Sequence, residues 1–281
     1  MFKTIKMNKI TLTEILVYPI KSTAGIFLEK ALVENTGLPY DRSFAVIGRD
    51  NKIITGRENP RLLNIRTKIE NNILELSAAG RKNIQLALDK ISVLPSLEAG
   101  IFSDIMSVLP ITHAVNNWLS TVIEEPVRLV KSDPDAERKM KARHHAKEQD
   151  VVLFCDVAPV HLISESSLSD LNARLEQPVS SARFRPNLIV RGCEAYAENA
   201  WKKVVIGNCI FDVAMKTVRC NFITIDPKTT ETHPRQEPLR TLSRMRKEKG
   251  EVTFGIYLIP RKLGTVKKGD LVSEKVLLTH S

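Results

Sequence analysis

"RTKIENNILELS", residues 66–77, sets how the rest of the chain is read. Two runs that mix apolar and polar residues, RTKIE and ILELS, flank Asn71-Asn72, a pair suited to turning a chain back on itself. That is a hairpin, and short runs of the same kind recur on both sides of it. TLTEILVY (11–18) alternates, and SFAVIG (43–48) and KIIT (52–55) flank the polar turn RDN. Further on, PVRLVKS (126–132), NLIVRG (187–192), KVVIG (203–207), CIFDVA (209–214), VTFGIYLI (252–259) and GTVKKGDLVSEKVLL (264–278) also read as strands. The period changes in few places. In ITHAVNNWLSTVI (111–123), Val115, Trp118, Leu119 and Val122 recur at i, i+3, i+4 and i+7, which predicts an amphipathic helix. A second helix is expected in ESSLSDLNARL (165–175), with Ser164 as its N-cap, and a short third one in EPLRTLSRMR (237–246). Many short strands with few helices imply an α+β, β-rich fold of barrel-like domains rather than a doubly wound sheet. The polar, basic stretch DPDAERKMKARHHAKEQD (133–150) lies near the junction of two regions, 8–130 and 131–279.

Bulk properties narrow the function classes. The chain has 281 residues, 43% of them hydrophobic and 26% charged, with no apolar run near the ~20 residues of a membrane span. Thr13 and Glu14 interrupt the apolar part of the N-terminus, so a secretory signal is not expected. Four cysteines, at 155, 193, 209 and 220, form no C-x-x-C pair. That fits a reducing cytoplasm and excludes a disulfide scaffold or a zinc ribbon. A net charge of +10 suggests anionic partners: nucleic acid, a phosphorylated cofactor or an acidic protein. Aromatics at 5% are poor material for base stacking, and no Rossmann or P-loop glycine pattern is present.

Four polar clusters stand at strand ends. VYPIKSTAG places Lys21 and Ser22 after an apolar strand, and YDRSF places Asp41-Arg42 before one. TGRENPRLL carries Arg57 and Arg61, and RFRPNLIV sets Arg185 and Asn187 around a proline. Singly, each is more often a solvated strand end or a turn; together they are donors for a phosphate and a polar heterocycle. A free cysteine is by default a buried, inert thiol. Cys220, in MKTVRCNFITIDP (215–227), differs because Arg219 beside it can hold a thiolate if the guanidinium points that way. Soft transition metals prefer such a ligand. The histidines show no metal-ligand spacing, and no Ser-His-Asp arrangement is evident.

Read in order, YPIKS…G, DR-F, GRENPRL, ISESSLSDLNARL, FRPNLIV, RC…T-DP, EPLRTL and GTVKKGD resemble the MOSC superfamily. The nearest likeness is to the branch of the mitochondrial amidoxime reducing component and bacterial N-hydroxylated-base reductases, over about residues 9–278. The resemblance implies an N-terminal β-barrel-like domain before a MOSC domain, with molybdenum cofactor (Mo-molybdopterin) between them. It implies that Lys21, Ser22, Arg42 and Arg57 belong to the cofactor site, joined by Arg185 and Asn187, that Cys220 ligates molybdenum, and that Asp156 in FCDVAP lies close to the metal. The implied activity is reduction of an N-hydroxylated small molecule, of hydroxylaminopurine or amidoxime type, to the amine. Its electrons would come from a separate ferredoxin-like or flavin-reductase donor; the basic stretch 138–147 is either a docking surface for it or merely a solvated loop. No membrane partner or pyridoxal phosphate is expected. Two other readings stand beside it: a molybdenum cofactor or sulfur carrier without turnover, and a basic nucleic-acid-binding protein.

Three features depart from the family's pattern. Thr217 stands where a second cysteine is often found, so Cys220 is alone and a disulfide with its neighbour is excluded. Met215-Lys216 replaces small or Pro residues, which implies a differently shaped mouth. With no cysteine after Cys220, the fused 2Fe–2S domain of some bacterial relatives is not expected.

Overall fold

A computed structural model describes residues 9–274; the N-terminal residues 1–8 and the end of the last strand-like run, 275–278, lie outside it. The expected hairpin is present, with strands Arg66–Glu70 and Ile73–Ser77 paired Glu70↔Ile73. Asn71 and Asn72 both adopt positive φ, 47° and 63°, the conformation that matches a two-residue turn to strand twist. A third strand, Ile84–Ala87, completes this sheet. A five-stranded sheet accompanies it, ordered Ile53–Ile54, Phe44–Ile47, Arg128–Ser132, Asp104–Pro110 and Leu97–Ile101. Helix α1 (Val115–Ile123) covers the apolar face, burying Val115, Leu119 and Ile123 against Leu74, Leu76 and Leu86. Trp118 and Val122 are only partly buried, so the stripe is rotated one position from the sequence pattern.

The larger sheet closes on itself. Its seven staves are β1 (Ile10–Val17), β2 (Val160–Ser164), β3 (Leu188–Arg191), β4 (Lys203–Ile206), β5 (Cys209–Val218), β6 (Glu251–Lys262) and β7 (Leu271–Glu274). The order is β2-β3-β1-β7-β4-β5-β6, and β6 pairs back to β2 through Val160↔Leu258. Only β2 and β3 run parallel, and α2 (Glu165–Asn172) lies between them in the chain, capped as expected by Ser164 accepting from the Ser167 amide at 3.1 Å. Inside the barrel Leu12, Ile15, Leu162, Leu188, Val204, Phe211, Ile256 and Leu258 are essentially fully buried. The fold is therefore α+β and β-rich, with short α3 (Leu239–Arg246) packed outside. The first strand of the chain is a stave of this barrel, between β3 and β7.

Candidate active site

Three local devices bring distant residues to one cleft. Beyond β1 the chain holds itself to the neighbouring sheet, with the Lys21 amide donating to the Phe44 carbonyl at 2.8 Å. Ser22, Arg42 and Arg185 all have positive φ, 71°, 48° and 53°, so three sharp turns aim side chains inward at the same place. Strand β5 loses register with β6 three times along its length, and such bulges re-aim a strand end; Cys220 follows two residues after it.

Lys21, Ser22, Arg42, Arg57, Asp156, Arg185, Asn187 and Cys220 line a single cleft of about 770 Å³, part of it open solvent. Its inner end is tightly braced. Arg42 Nη1 donates to Asp41 Oδ2 at 2.6 Å and to Asn187 Oδ1 at 3.0 Å, while its Nη2 donates to the Arg185 carbonyl at 3.1 Å. Asp41 is fully buried and also accepts from the Tyr18 amide at 2.8 Å. The Tyr18 ring carries two guanidiniums, with Arg42 4.4 Å and Arg185 4.1 Å from its centroid. Aromatic faces attract cations, so this ring offsets the repulsion of two like charges held close together. Burial works against the charge of Arg42, but its anionic neighbours, Asp41 foremost, together outweigh it and the pKa is raised. Burial and then Arg42 push Arg185 down to about 10.

Asn187 is a brace. Its Oδ1 accepts from Arg42 and from the His161 amide, and its Nδ2 donates to the Leu16 carbonyl at 3.0 Å. Lys21 Nζ donates to the Phe154 carbonyl at 2.8 Å and pairs with Asp156. Burial lowers the Lys21 pKa. Burial would raise the Asp156 carboxyl, but Lys21 and then Arg57 outweigh it and bring it to about 2. Asp156 is therefore an acceptor at neutral pH.

Cys220, at the outer end, is the only exposed cysteine of the four. Arg219 does not hold it as the sequence suggested. Its Nη2 turns inward to the Phe184 carbonyl at 2.8 Å, and the guanidinium that reaches the Cys220 sulfur is that of Arg57, with Nη1 at 3.6 Å. Burial pushes Cys155 up to about 12, with Asp41 next among the causes, which suits an inert thiol. Several charges of the basic stretch 138–147 have partners within the chain. Arg138 and Lys141 both turn to Asp104, Arg138 donates to the carbonyls of Leu153 and Cys155, and Lys139 pairs with Glu137. Residues 138–141 also line the outer cleft.

Several residues of the cleft escaped the sequence reading. Tyr18 lies beneath the cleft rather than in its lining, and an aromatic three residues before Lys21 was a usable signal. His161, Tyr257 and Phe102 arrive from separate strands and a hairpin tip, which only the tertiary fold brings together.

The cleft suits an anionic cofactor that brings its own metal ligands. Five cationic side chains, Lys21, Arg42, Arg57, Arg185 and Arg219, face two carboxylates, Asp156 in the wall and Asp41 beneath. Arg185 Nη2 and Arg219 Nε are buried with no partner in the protein, the condition of donors that await an acceptor. Among the described residues no group of three or more His, Cys, Asp or Glu could hold a metal by itself. A lone thiol thus fits only a metal that arrives already chelated.

Comparison with known proteins agrees with this geometry. Residues 9–126 match the MOSC N-terminal beta barrel domain and 149–273 the MOSC domain. Mitochondrial amidoxime-reducing component 1 of Mus musculus is 34% identical, over 93% of this chain and 81% of its own length. The Homo sapiens protein of that name is 31% identical over 93% and 82%. The molybdenum cofactor sulfurase of Oryza sativa subsp. japonica is 32% identical over 90% of this chain but only 33% of its own length. The chain therefore belongs to the MOSC-domain family, in the branch of the amidoxime-reducing components. Among the described residues no helix is long and apolar enough to cross a membrane.

Proposed function

We propose that this protein is a molybdenum-cofactor-dependent reductase of N-hydroxylated compounds. The observation that carries the reading is one exposed thiol, Cys220, at the open end of a cleft whose buried end holds unpartnered cationic donors. Lys21, Ser22, Arg42 and Arg185 would hold the phosphate and pterin, with Asn187 fixing Arg42, and Cys220 would ligate the metal. When bound, the cofactor supplies the two electrons that, with two protons, convert N–OH to N–H and water. Asp156, ionised and half-exposed, accepts a hydrogen bond from the substrate N–OH and orients it. Arg57 donates toward the leaving oxygen and keeps the Cys220 sulfur in place. The electrons come from a separate donor protein. Parts 8–130 and 131–279 are the two working halves, β1 being lent by the first to the barrel of the second. Four free cysteines suit a reducing compartment such as the cytoplasm, although the relatives are named mitochondrial.

Metal analysis of protein from a molybdopterin-competent host should give about one molybdenum per chain, falling more than tenfold in Cys220→Ser. Chemically reduced protein should then convert hydroxylaminopurine and benzamidoxime. The likeness to a molybdenum cofactor sulfurase favours a second reading, a cofactor-handling protein. Stoichiometric metal with no conversion of either compound would select it.

A further inference from the structure

We propose that Phe102 selects flat aromatic substrates by offering its ring as a stacking surface at the mouth of the cleft. The inference rests on the reductase reading for the kind of ligand, and on the hairpin geometry for the residue. Strands Leu97–Ile101 and Asp104–Pro110 are joined by two residues, Phe102 and Ser103. The first has φ 55°, in the left-handed region where glycine or asparagine is at ease and a bulky aromatic is not. The hydrophobic core does not account for that choice. Phe102 belongs to no hydrophobic cluster of the core and is 54% exposed. A strained, exposed aromatic is a sign of use by a ligand.

Its position says which ligand. The Phe102 ring lies 5.1 Å from Lys21 Nζ and 4.9 Å from the Arg57 guanidinium, two residues of the cofactor cleft. Arg57 in turn reaches Cys220, and Phe102, Arg57, Asp156 and Cys220 all line one outer cleft with Val218 and Tyr257. A planar N-hydroxylated base would stack on the exposed part of the Phe102 ring. Its N–OH would then be carried toward Arg57 and Asp156, above Cys220. A small acyclic amidoxime has no aromatic ring, only one C=N unit, and gains far less from stacking.

The test is calorimetric binding of hydroxylaminopurine and of acetamidoxime to cofactor-loaded protein, as wild type and as F102Y, F102A and F102G. Hydroxylaminopurine should bind about tenfold more weakly to F102A and F102G and within about twofold of wild type to F102Y. Acetamidoxime should bind all four alike. F102G should melt no lower than wild type, because glycine suits the turn, which separates lost stacking from damage to the fold. Equal weakening for both ligands, no weakening in F102A, or no binding of hydroxylaminopurine by wild type would overturn the proposal. Turnover measured on the same samples is read separately. Binding that depends on Phe102 without turnover would sink the reductase reading alone; turnover that ignores Phe102 would sink this one alone.

Discussion

The two ends of the cleft are built on opposite plans. At the inner end Arg42 is fixed by Asp41, Asn187 and the Arg185 carbonyl, and the Tyr18 ring is shared by two guanidiniums. At the outer end Cys220 meets one side chain at 3.6 Å, Asp156 meets Lys21, and Phe102 projects from a turn. The difference teaches where stability and chemistry are kept apart. A ligand's anchor needs a preorganised cradle, whereas the reacting end must admit a substrate and release a product.

That contrast can be broken at either end. Arg42→Leu leaves the fully buried Asp41 carboxylate without its ion pair, and should cost about 3–5 kcal/mol of unfolding free energy in urea. A cost below about 1 kcal/mol would mean that the inner end is not the stabilising one. Tyr18→Phe removes one hydrogen bond, from the hydroxyl to the Pro186 carbonyl, and should cost about 1 kcal/mol while retaining molybdenum. Tyr18→Leu also removes the aromatic face, and should in addition lower molybdenum content, as the Arg42 and Arg185 guanidiniums lose what lies between them.

Acidification sharpens the comparison by a smaller step. Burial, and then Arg219, hold His161 well below its ordinary 6.5, so the folded chain binds fewer protons than the unfolded one. Its contribution is present above pH 6.5 and is lost as the pH falls below that value. Asp156, at about 2 against an ordinary 3.8, adds a second loss below about pH 4. The urea midpoint should therefore fall from pH 7 to pH 5, and fall less in His161→Gln; a flat profile would contradict this. The smallest effect is expected at the outer end, where Arg57→Gln should leave stability within about 0.5 kcal/mol while weakening molybdenum retention.

Strand positions were largely legible because turn residues and alternation are local signals, as at Asn71-Asn72. The closure of the barrel was not, since nothing in TLTEILVY says that it pairs with residues near 190 and 271. Site residues were legible where polar groups interrupt strand ends. Which guanidinium faces Cys220 depends on where two remote turns meet, so sequence adjacency pointed to Arg219 and the fold supplies Arg57. Likewise the charge of stretch 138–147 was plain, but its pairing to Asp104 across a hairpin was not.

The place of β1 in the barrel has a consequence during synthesis. A ribosome makes this strand before the other staves, yet its neighbours in the barrel, Leu188–Arg191 and Leu271–Glu274, emerge about 180 and 260 residues later. Until then its only neighbour is the short strand Ile26–Leu28, which pairs with Ile15–Val17 and leaves the Leu12 end open, and such unpaired edges invite aggregation. The barrel is thus the slow, late event of folding, closed by contacts between the two ends of the described chain. Residues 131–281 made alone would lack one stave, and β3 and β7 would face each other across its gap.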